Sequence, residues 1–448
     1  MGWKRVELMA GPSGVLARPE WKWAWMAACA VPGLFVMSRA LPPNWIEVGF
    51  RWHGSGSTQV LLLAGGLYAV FVCPFLCKTA VVPVSPHEDG LNSRTRRILF
   101  ALITCLAMAF VWAGLTEFAL RAMGQQSYRP PQLTASSDAG SDLFLDHAVL
   151  GYTHAPGRHC FDLRDGHSFV ATHLSNTLRI TRPPDSPKNN LSLPEIWLFG
   201  CSMTHGWSVG DDQTFSWLLD RSLPNDNVVN FGVTGYGSVQ SLLQLREALD
   251  SGRRPALVVL AYASLHDERN TMQRSWRKIA GVPARPFARF NELDQLTIRF
   301  GRPAFHEWPG MRYSALIHAA ERFYNQREAV AMRSHEVSRL LIGRFDALCR
   351  EHEISWVLAG MDAEPATKAM LAFGRSQSWA TVDMEVDLRL ARFNGKPIDA
   401  HPNPTAHAAY AGNLRDYLLD AGFISGSDAD TPFVNGAALG EVLSRHGG

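Results

Sequence analysis

The chain has almost no net charge. Its 448 residues include 43 Lys and Arg against 41 Asp and Glu, a formal charge of +2. It also lacks any basic tract interleaved with aromatics, so nothing recruits a phosphate backbone and no nucleic acid is expected as a partner. Seven cysteines, an odd number, fall in no Cys-x-x-Cys pair; Cys73 and Cys77 are four apart in an apolar run. A disulfide framework is therefore not indicated. There is no His-Glu-x-x-His and no phosphate loop, and Gly232-x-x-Gly235-x-Gly237 is not the dinucleotide fingerprint. Motif spacing thus points to no metal and no cofactor.

What the chain does have is a front loaded with apolar residues. Trp23 to Ser38, Val60 to Cys77 and Ile98 to Leu115 carry no charge, and the last two approach the ~20 residues that span a bilayer. Three membrane helices are expected within residues 1–124. Lys4, Arg5, Arg18 and Lys22 precede the first run, and Lys78, Arg94, Arg96 and Arg97 lie between the second and third, whereas the intervening loop offers Arg39 and Arg51. This bias puts the N-terminus in the cytoplasm and everything after the third span on the extracytoplasmic side, periplasmic or exterior.

Residues 125–194 read as a Ser-, Pro- and Gln-rich linker, Gln125 to Asp142, followed by a small β-rich appendage between Leu150 and Pro184. From Glu195 the pattern changes. Ile196 to Phe199, Val228 to Phe231, Leu257 to Tyr262 and Trp356 to Ala359 are short apolar runs. Thr214 to Leu223, Val239 to Leu249, Ala329 to Glu351 and Thr405 to Leu419 show helical spacing. Apolar strands alternating with helices imply an α/β fold, a three-layer α/β/α sandwich on a mostly parallel sheet, over residues 195–424. An insertion at 271–326, rich in Arg and aromatics such as Trp276, Phe287 and Trp308, interrupts it. Cations beside aromatics suit sugar rings or an anionic polymer, and equally suit a solvated cap. Residues 425–448 read as a tail.

Ligands of such sheets sit beyond the carboxyl ends of the strands. There "FGCSMTHGW" places Ser202, "NFGVTGYG" places Gly232, Gly235 and Gly237, "LAYASLHDERN" places His266 and Asp267, and "DAHPNPTAHAAYA" places Asp399, His401 and His407. A serine needs a base and oxyanion donors to act as a nucleophile. Alone, Ser202 reads as an ordinary strand-to-helix corner, and the glycines as a helix start.

Together these blocks resemble the SGNH hydrolase superfamily, the GDSL-like esterases, over roughly Glu195 to Gly422. The resemblance implies a flavodoxin-like sandwich and an ester hydrolase. It implies Ser202 as nucleophile, His401 as general base and Asp399 as its orienting acid, with an oxyanion hole from Ser202, Gly235 and His266. Three positions depart from the family pattern. Cys201 replaces an Asp before the serine, His266 stands where the family has Asn, and Asp399-x-His401 is one residue tighter than the usual Asp-x-x-His. An imidazole can donate one hydrogen bond to an oxyanion; alternatively His266 is a structural partner of Asp267. His407 is a rival base read as a packing residue within a helix, and His205 is read as a turn residue.

The expected protein is a membrane-anchored serine esterase acting on O-acyl, chiefly O-acetyl, groups of a cell-envelope or extracellular polysaccharide, with a membrane protein as a candidate partner. A polysaccharide O-acetyltransferase using the same site and a catalytically inactive binding module are the alternatives.

Overall fold

A computed structural model describes residues 90–130, 143–162, 167–280, 284–302, 304–395 and 400–425. The first two expected membrane spans, the tail and Asp399 lie outside the described residues. The chain divides into two units, Met1–Arg129 with His306–Gln326, and Pro130–Phe305 with Arg327–Gly448.

In the first unit, helix α1 spans Gly90–Ala122. Its stretch Ile98–Ala122 is long and apolar enough to cross a membrane, and it runs beyond the expected Ile98 to Leu115. Phe100, Leu102, Ile103 and Leu115 are all exposed and fall on different sides of the helix, so it is apolar around its circumference rather than along one stripe. Near its end Glu117 accepts hydrogen bonds from the amides of Ala315 (2.9 Å) and Leu316 (2.8 Å) and from Ser314 Oγ (2.8 Å). These are orphan donors at the start of the helix Ala315–Ala331, which a carboxylate satisfies while complementing the helix dipole. Gln125 to Tyr128, read as the start of a linker, are packed: the Tyr128 amide donates to Met311 O at 2.9 Å, and its side chain is buried.

The second unit begins with two antiparallel hairpins. β1 (Phe144–His147) pairs with β2 (Gly151–His154), and β3 (Gly157–Asp162) pairs with β4 (Ser168–His173). The main sheet follows: β5 (Glu195–Phe199), β6 (Asn227–Asn230) and β7 (Leu257–Tyr262), then, after a third hairpin of β8 (Arg285–Phe290) and β9 (Leu296–Gly301), β10 (Ser355–Asp362) and β11 (Ala380–Val386). Its order is β11-β10-β7-β5-β6 and every pairing is parallel. Arg179 bridges His173 on β4 to Asn230 on β6, tying the appendage to the sheet edge beside the nucleophile's strand.

Strand alternation decides which side chains meet which helices. Trp197, Phe199, Val258, Leu260 and Leu358 point to one face and pack on Val239, Leu242, Leu245, Val337, Leu341 and Phe345. Ile196, Leu198, Val259, Ala261 and Val357 point to the other and pack on Phe215, Leu219, Tyr410, Leu414 and Leu418. Both faces are thus covered by helices, and burying each large apolar side chain contributes about 1.5–3 kcal/mol. The core helices are α3 (Phe215–Ser222), α4 (Ser238–Asp250), α8 (Ser334–Glu351), α9 (Pro365–Ser376) and α10 (Pro404–Asp420), with the short α2 (Ser202–His205), α5 (His266–Asn270) and α6 (Arg274–Ala280) and the longer α7 (Ala315–Ala331) between.

Three expectations change. The single helix expected over Ala329 to Glu351 is two, α7 and α8, broken where Arg333 adopts φ +52°. No Gly or Pro signals that break; ion pairs of Arg333 with Glu336 and Asp294 hold the left-handed residue in place. The insertion, which shows no alternation in sequence, contains α6 and the β8–β9 hairpin, whose turn is closed by Asn291 Oδ1 accepting from the Leu293 and Gln295 amides. The fifth strand, β11, was not anticipated, because "ATVDMEV" alternates apolar and acidic residues at an edge and reads as no continuous apolar run.

Candidate active site

Ser202 and His401 are 199 residues apart in sequence, yet His401 Nε2 lies 3.0 Å from Ser202 Oγ. Each is delivered by a strand end or helix start. β5 stops at Phe199, and a Cβ on Gly200 would fall 2.1 Å from Thr204 Oγ1 and 3.1 Å from Ala261 O. Only glycine lets the chain turn there, and Ser202 then opens α2 with 2% of its surface exposed. His401 is held by the start of α10. Its carbonyl accepts from Gly395 N at 3.2 Å, Pro402 bridges Asn394, and the Asn403 side chain caps Ala406 N at 3.1 Å while donating to Arg392 O at 2.9 Å. Asn at the cap and Pro404 in the first turn fix where the helix begins.

The second glycine block is placed against the same turn. A Cβ on Gly232 would meet His205 N at 2.5 Å, so glycine permits the close approach of the β6 loop to α2. Gly235 has φ +87°, and a Cβ there would meet Tyr152 Oη at 2.4 Å. Tyr152 in turn donates to Thr234 O at 2.7 Å, so the appendage strand β2 grips this loop. Among the described residues, the amides of Ser202 and Gly235 donate to no protein acceptor.

His266 opens α5 and is wholly buried. Its Nδ1 lies 3.3 Å from Ser238 Oγ, while Nε2 is buried with no partner. Burial, reinforced by the Arg269 charge, pushes its pKa down to about 3, so the ring is neutral at physiological pH. The Ser238 hydroxyl can donate to Nδ1 or accept from it; the tautomer in which it donates puts the ring proton on Nε2, free to donate. Asp267 is not its partner: that carboxylate accepts from Tyr262 Oη at 2.6 Å and pairs with His335 Nδ1 at 2.8 Å. His407 is buried and packed, accepting from Phe215 N at 3.2 Å with its ring stacked on Phe215. Desolvation, with the charge of Arg179, holds its pKa down at about 3.

His205 is more than a turn residue. With His154 and His173 it forms a buried imidazole cluster whose ring nitrogens lie within 4.8 Å of one another. The three residues come from β2, β4 and α2, a grouping that no local spacing reveals. Their rings are stacked: His154 lies 4.4 Å from His173 at 9° and 4.3 Å from His205 at 30°. Parallel rings do not aim in-plane lone pairs at one common point, which a metal cage requires. His205 Nε2 is 2.9 Å from His173 Nε2, and Arg179 Nη1 is 3.4 Å from His205 Nδ1. Arg179 donating to Nδ1 leaves the proton on Nε2 to donate to His173. The arrangement is a stack of neutral rings next to Ser202 in which His173 and His205 are hydrogen-bonded, while both nitrogens of His154 are buried without a partner.

Arg179 is 1% exposed and ties that turn together. It donates to Gly206 O, Val209 O and Val170 O, each at 3.1 Å, and pairs with Asp211 at 2.9 Å. A cluster of buried polar residues drawn from 154 to 211 therefore fixes the segment after Ser202. The sequence shows only that these residues are polar and next to a glycine-rich corner.

No protein-family model matches the sequence, and no curated protein is a significant match. Solved structures are similar over half of the chain. A G-D-S-L family protein from Desulfitobacterium hafniense aligns over 50% of this chain and 99% of its own, at 10% identity and a TM-score of 0.31. A member of the lipolytic G-D-S-L family from Veillonella parvula aligns over 50% and 97%, at 11% identity and a TM-score of 0.29. A family two carbohydrate esterase from Clostridium thermocellum aligns over 52% and 65%, at 9% identity and a TM-score of 0.29. At these scores the role of each residue rests on the geometry of this chain alone.

Proposed function

We propose that the protein is an SGNH-type serine esterase that removes O-acyl groups, chiefly acetyl, from a cell-envelope or extracellular polysaccharide, anchored by α1 with its second unit facing outward. The observation that carries this reading is the 3.0 Å contact between Ser202 Oγ and His401 Nε2 at a strand tip, next to amide donors with no protein acceptor. In the reaction His401 takes the Ser202 proton as Oγ attacks the ester carbonyl. The carbonyl oxygen, now negative, is held by the amides of Ser202 and Gly235 and by His266 Nε2–H. His401 gives the proton to the departing sugar hydroxyl; it then takes one from water, which releases the acyl group and restores Ser202. Asp399, outside the described residues, is assigned to orient His401 by the family resemblance. Neutral His266 in its Nε2–H tautomer suits an oxyanion donor because it carries no charge that must be buried in the free enzyme.

The test is acetate release from 4-nitrophenyl acetate and acetylated oligosaccharides by the detergent-solubilised full chain. Wild type should turn over, and Ser202→Ala should lose at least about a thousand-fold in kcat/KM. A fluorophosphonate should label wild type at Ser202 and not label the variant. Unchanged turnover in Ser202→Ala overturns the assignment, and faster transfer of acetyl to a sugar than to water reassigns the chemistry to acyl transfer.

A further inference from the structure

Ser238 is the first residue of α4 and is 2% exposed. A serine at a helix start ordinarily serves the free amides there, but here other groups do so. Asn270 Oδ1 accepts from Val239 N at 3.1 Å, the Gly237 carbonyl accepts from Ser241 N at 3.2 Å, and Gln240 Oε1 accepts from Gly237 N at 3.0 Å. Among the described residues the Ser238 hydroxyl has one hydrogen-bond partner, His266 Nδ1 at 3.3 Å. Tyr262, whose ring stands edge-on to His266 at 5.4 Å, offers the imidazole no alternative, because its hydroxyl donates to Asp267.

Counting donors and acceptors separates the two neutral tautomers of His266. If Nδ1 carries the proton and donates to Ser238, the serine O–H is left buried without an acceptor, and Nε2 becomes a buried lone pair without a donor. If Ser238 donates to Nδ1, both of those groups are satisfied and Nε2–H alone is left over. Each buried polar group without a partner is costly, so the second arrangement wins. It also leaves unpaired the one group that an incoming acceptor can use. Ser238 follows closely on Gly235 and Gly237, so a single turn carries an amide donor and the hydroxyl that sets the imidazole donor.

We infer that Ser238 is a positioning residue: by donating to Nδ1 it holds His266 as the Nε2–H tautomer, which presents a proton rather than a lone pair to the oxyanion. This inference rests on the esterase reading and deepens it, since it states what an imidazole needs in order to act as an oxyanion donor here. A carboxamide always carries N–H donors, whereas a neutral imidazole has one proton to place. A lone pair aimed at the oxyanion would repel it, and losing a donor there costs about 10²–10³ in kcat.

The test uses the full chain with 15N-labelled histidine in detergent, the His266 signals being those lost in His266→Asn. Long-range 1H–15N correlation should show wild-type His266 protonated at Nε2 alone, and Ser238→Ala should bring in the Nδ1–H form. Kinetics on 4-nitrophenyl acetate give the second readout. Ser238→Ala should lower kcat with KM little moved, by at least about two-fold, the loss for a ring shared equally between tautomers, and by less than the 10²–10³ of a donor removed altogether. Added to His266→Asn, the same substitution should cost nothing further, because a carboxamide has no tautomer to set; a packing role costs the same in both backgrounds. Wild-type His266 protonated at Nδ1, or a Ser238→Ala loss undiminished in the His266→Asn background, overturns the inference. Turnover independent of Ser202 with His266 held as Nε2–H removes the esterase reading and leaves the serine–imidazole pairing standing. Ser202-dependent turnover with His266 protonated at Nδ1 does the reverse.

Discussion

Acidification should unfold the second unit well above the pH at which most carboxylates titrate, because it buries neutral histidines. His154, His266 and His407 have pKa values held down at about 3 by burial first and by neighbouring positive charge second. His173 and His205 are also lowered, by burial first and neighbouring positive charge second. In the unfolded chain each returns to about 6.5. Below that value the unfolded state binds protons that the native state refuses, so stability is complete above pH 6.5 and falls as pH drops towards 3. Between pH 7.5 and pH 5 each of the three loses about 2 kcal/mol, about 6 kcal/mol together. The figure depends little on the native values, since at pH 5 any native pKa below about 4 gives nearly the same loss. His173 and His205 add to it. Set against a typical total stability of about 5–15 kcal/mol, this brings the unit to the edge of unfolding.

The assay is urea unfolding of the detergent-solubilised chain followed by tryptophan fluorescence at pH 7.5, 6.5, 5.5 and 5.0. Near pH 5.5 stability should change by about 4 kcal/mol per pH unit from the three alone. His407→Asn, which keeps a polar group near Phe215 N, should lower stability at pH 7.5 and reduce the slope by about one proton. A stability that is flat between pH 7.5 and 5 refutes the claim that these rings are buried and neutral.

Other substitutions test the local arguments. Asp211→Asn leaves Arg179 buried without its counter-ion and should cost about 3–5 kcal/mol in urea unfolding. Gly235→Ala requires a Cβ in a left-handed residue 2.4 Å from Tyr152 Oη, and should lower kcat/KM on neutral esters by more than about ten-fold through misplacing one oxyanion donor. By contrast Gly343→Ala and Gly412→Ala, in α8 and α10 with open space at the added Cβ, should each stabilise by about 0.5–1 kcal/mol. Glu117→Ala removes the acceptor at the start of α7 and should cost about 1 kcal/mol, with faster amide exchange at Ala315 and Leu316 as the local readout.

The parallel sheet was legible because its central strands are continuous apolar runs: Leu257 to Tyr262 is buried at every residue. The edge strand β11 was not, since only alternate residues face the core. Ser202, His401 and Gly235 stood out through the resemblance of their blocks to the SGNH hydrolases, while glycine and proline marked the strand ends and helix starts on which those blocks fall. His154, His173 and Arg179 carried no such signal. They come from separate hairpins and a loop, and their bearing on the Ser202 turn exists only through tertiary packing.

By itself, then, the sequence determined the alternation of strands and helices and the apolar helix ahead of them, because each is written in local periodicity or in backbone-limiting residues; the candidate nucleophile and base came from the resemblance of its blocks to the SGNH hydrolases. Tertiary structure decided whether Ser202 and His401 meet, that Asp267 belongs to Tyr262 and His335 rather than to His266, and that Arg269 donates to the Tyr236 carbonyl beside Gly235. Burial and the pairing of charges are properties of surfaces brought together, and no spacing along the chain encodes them.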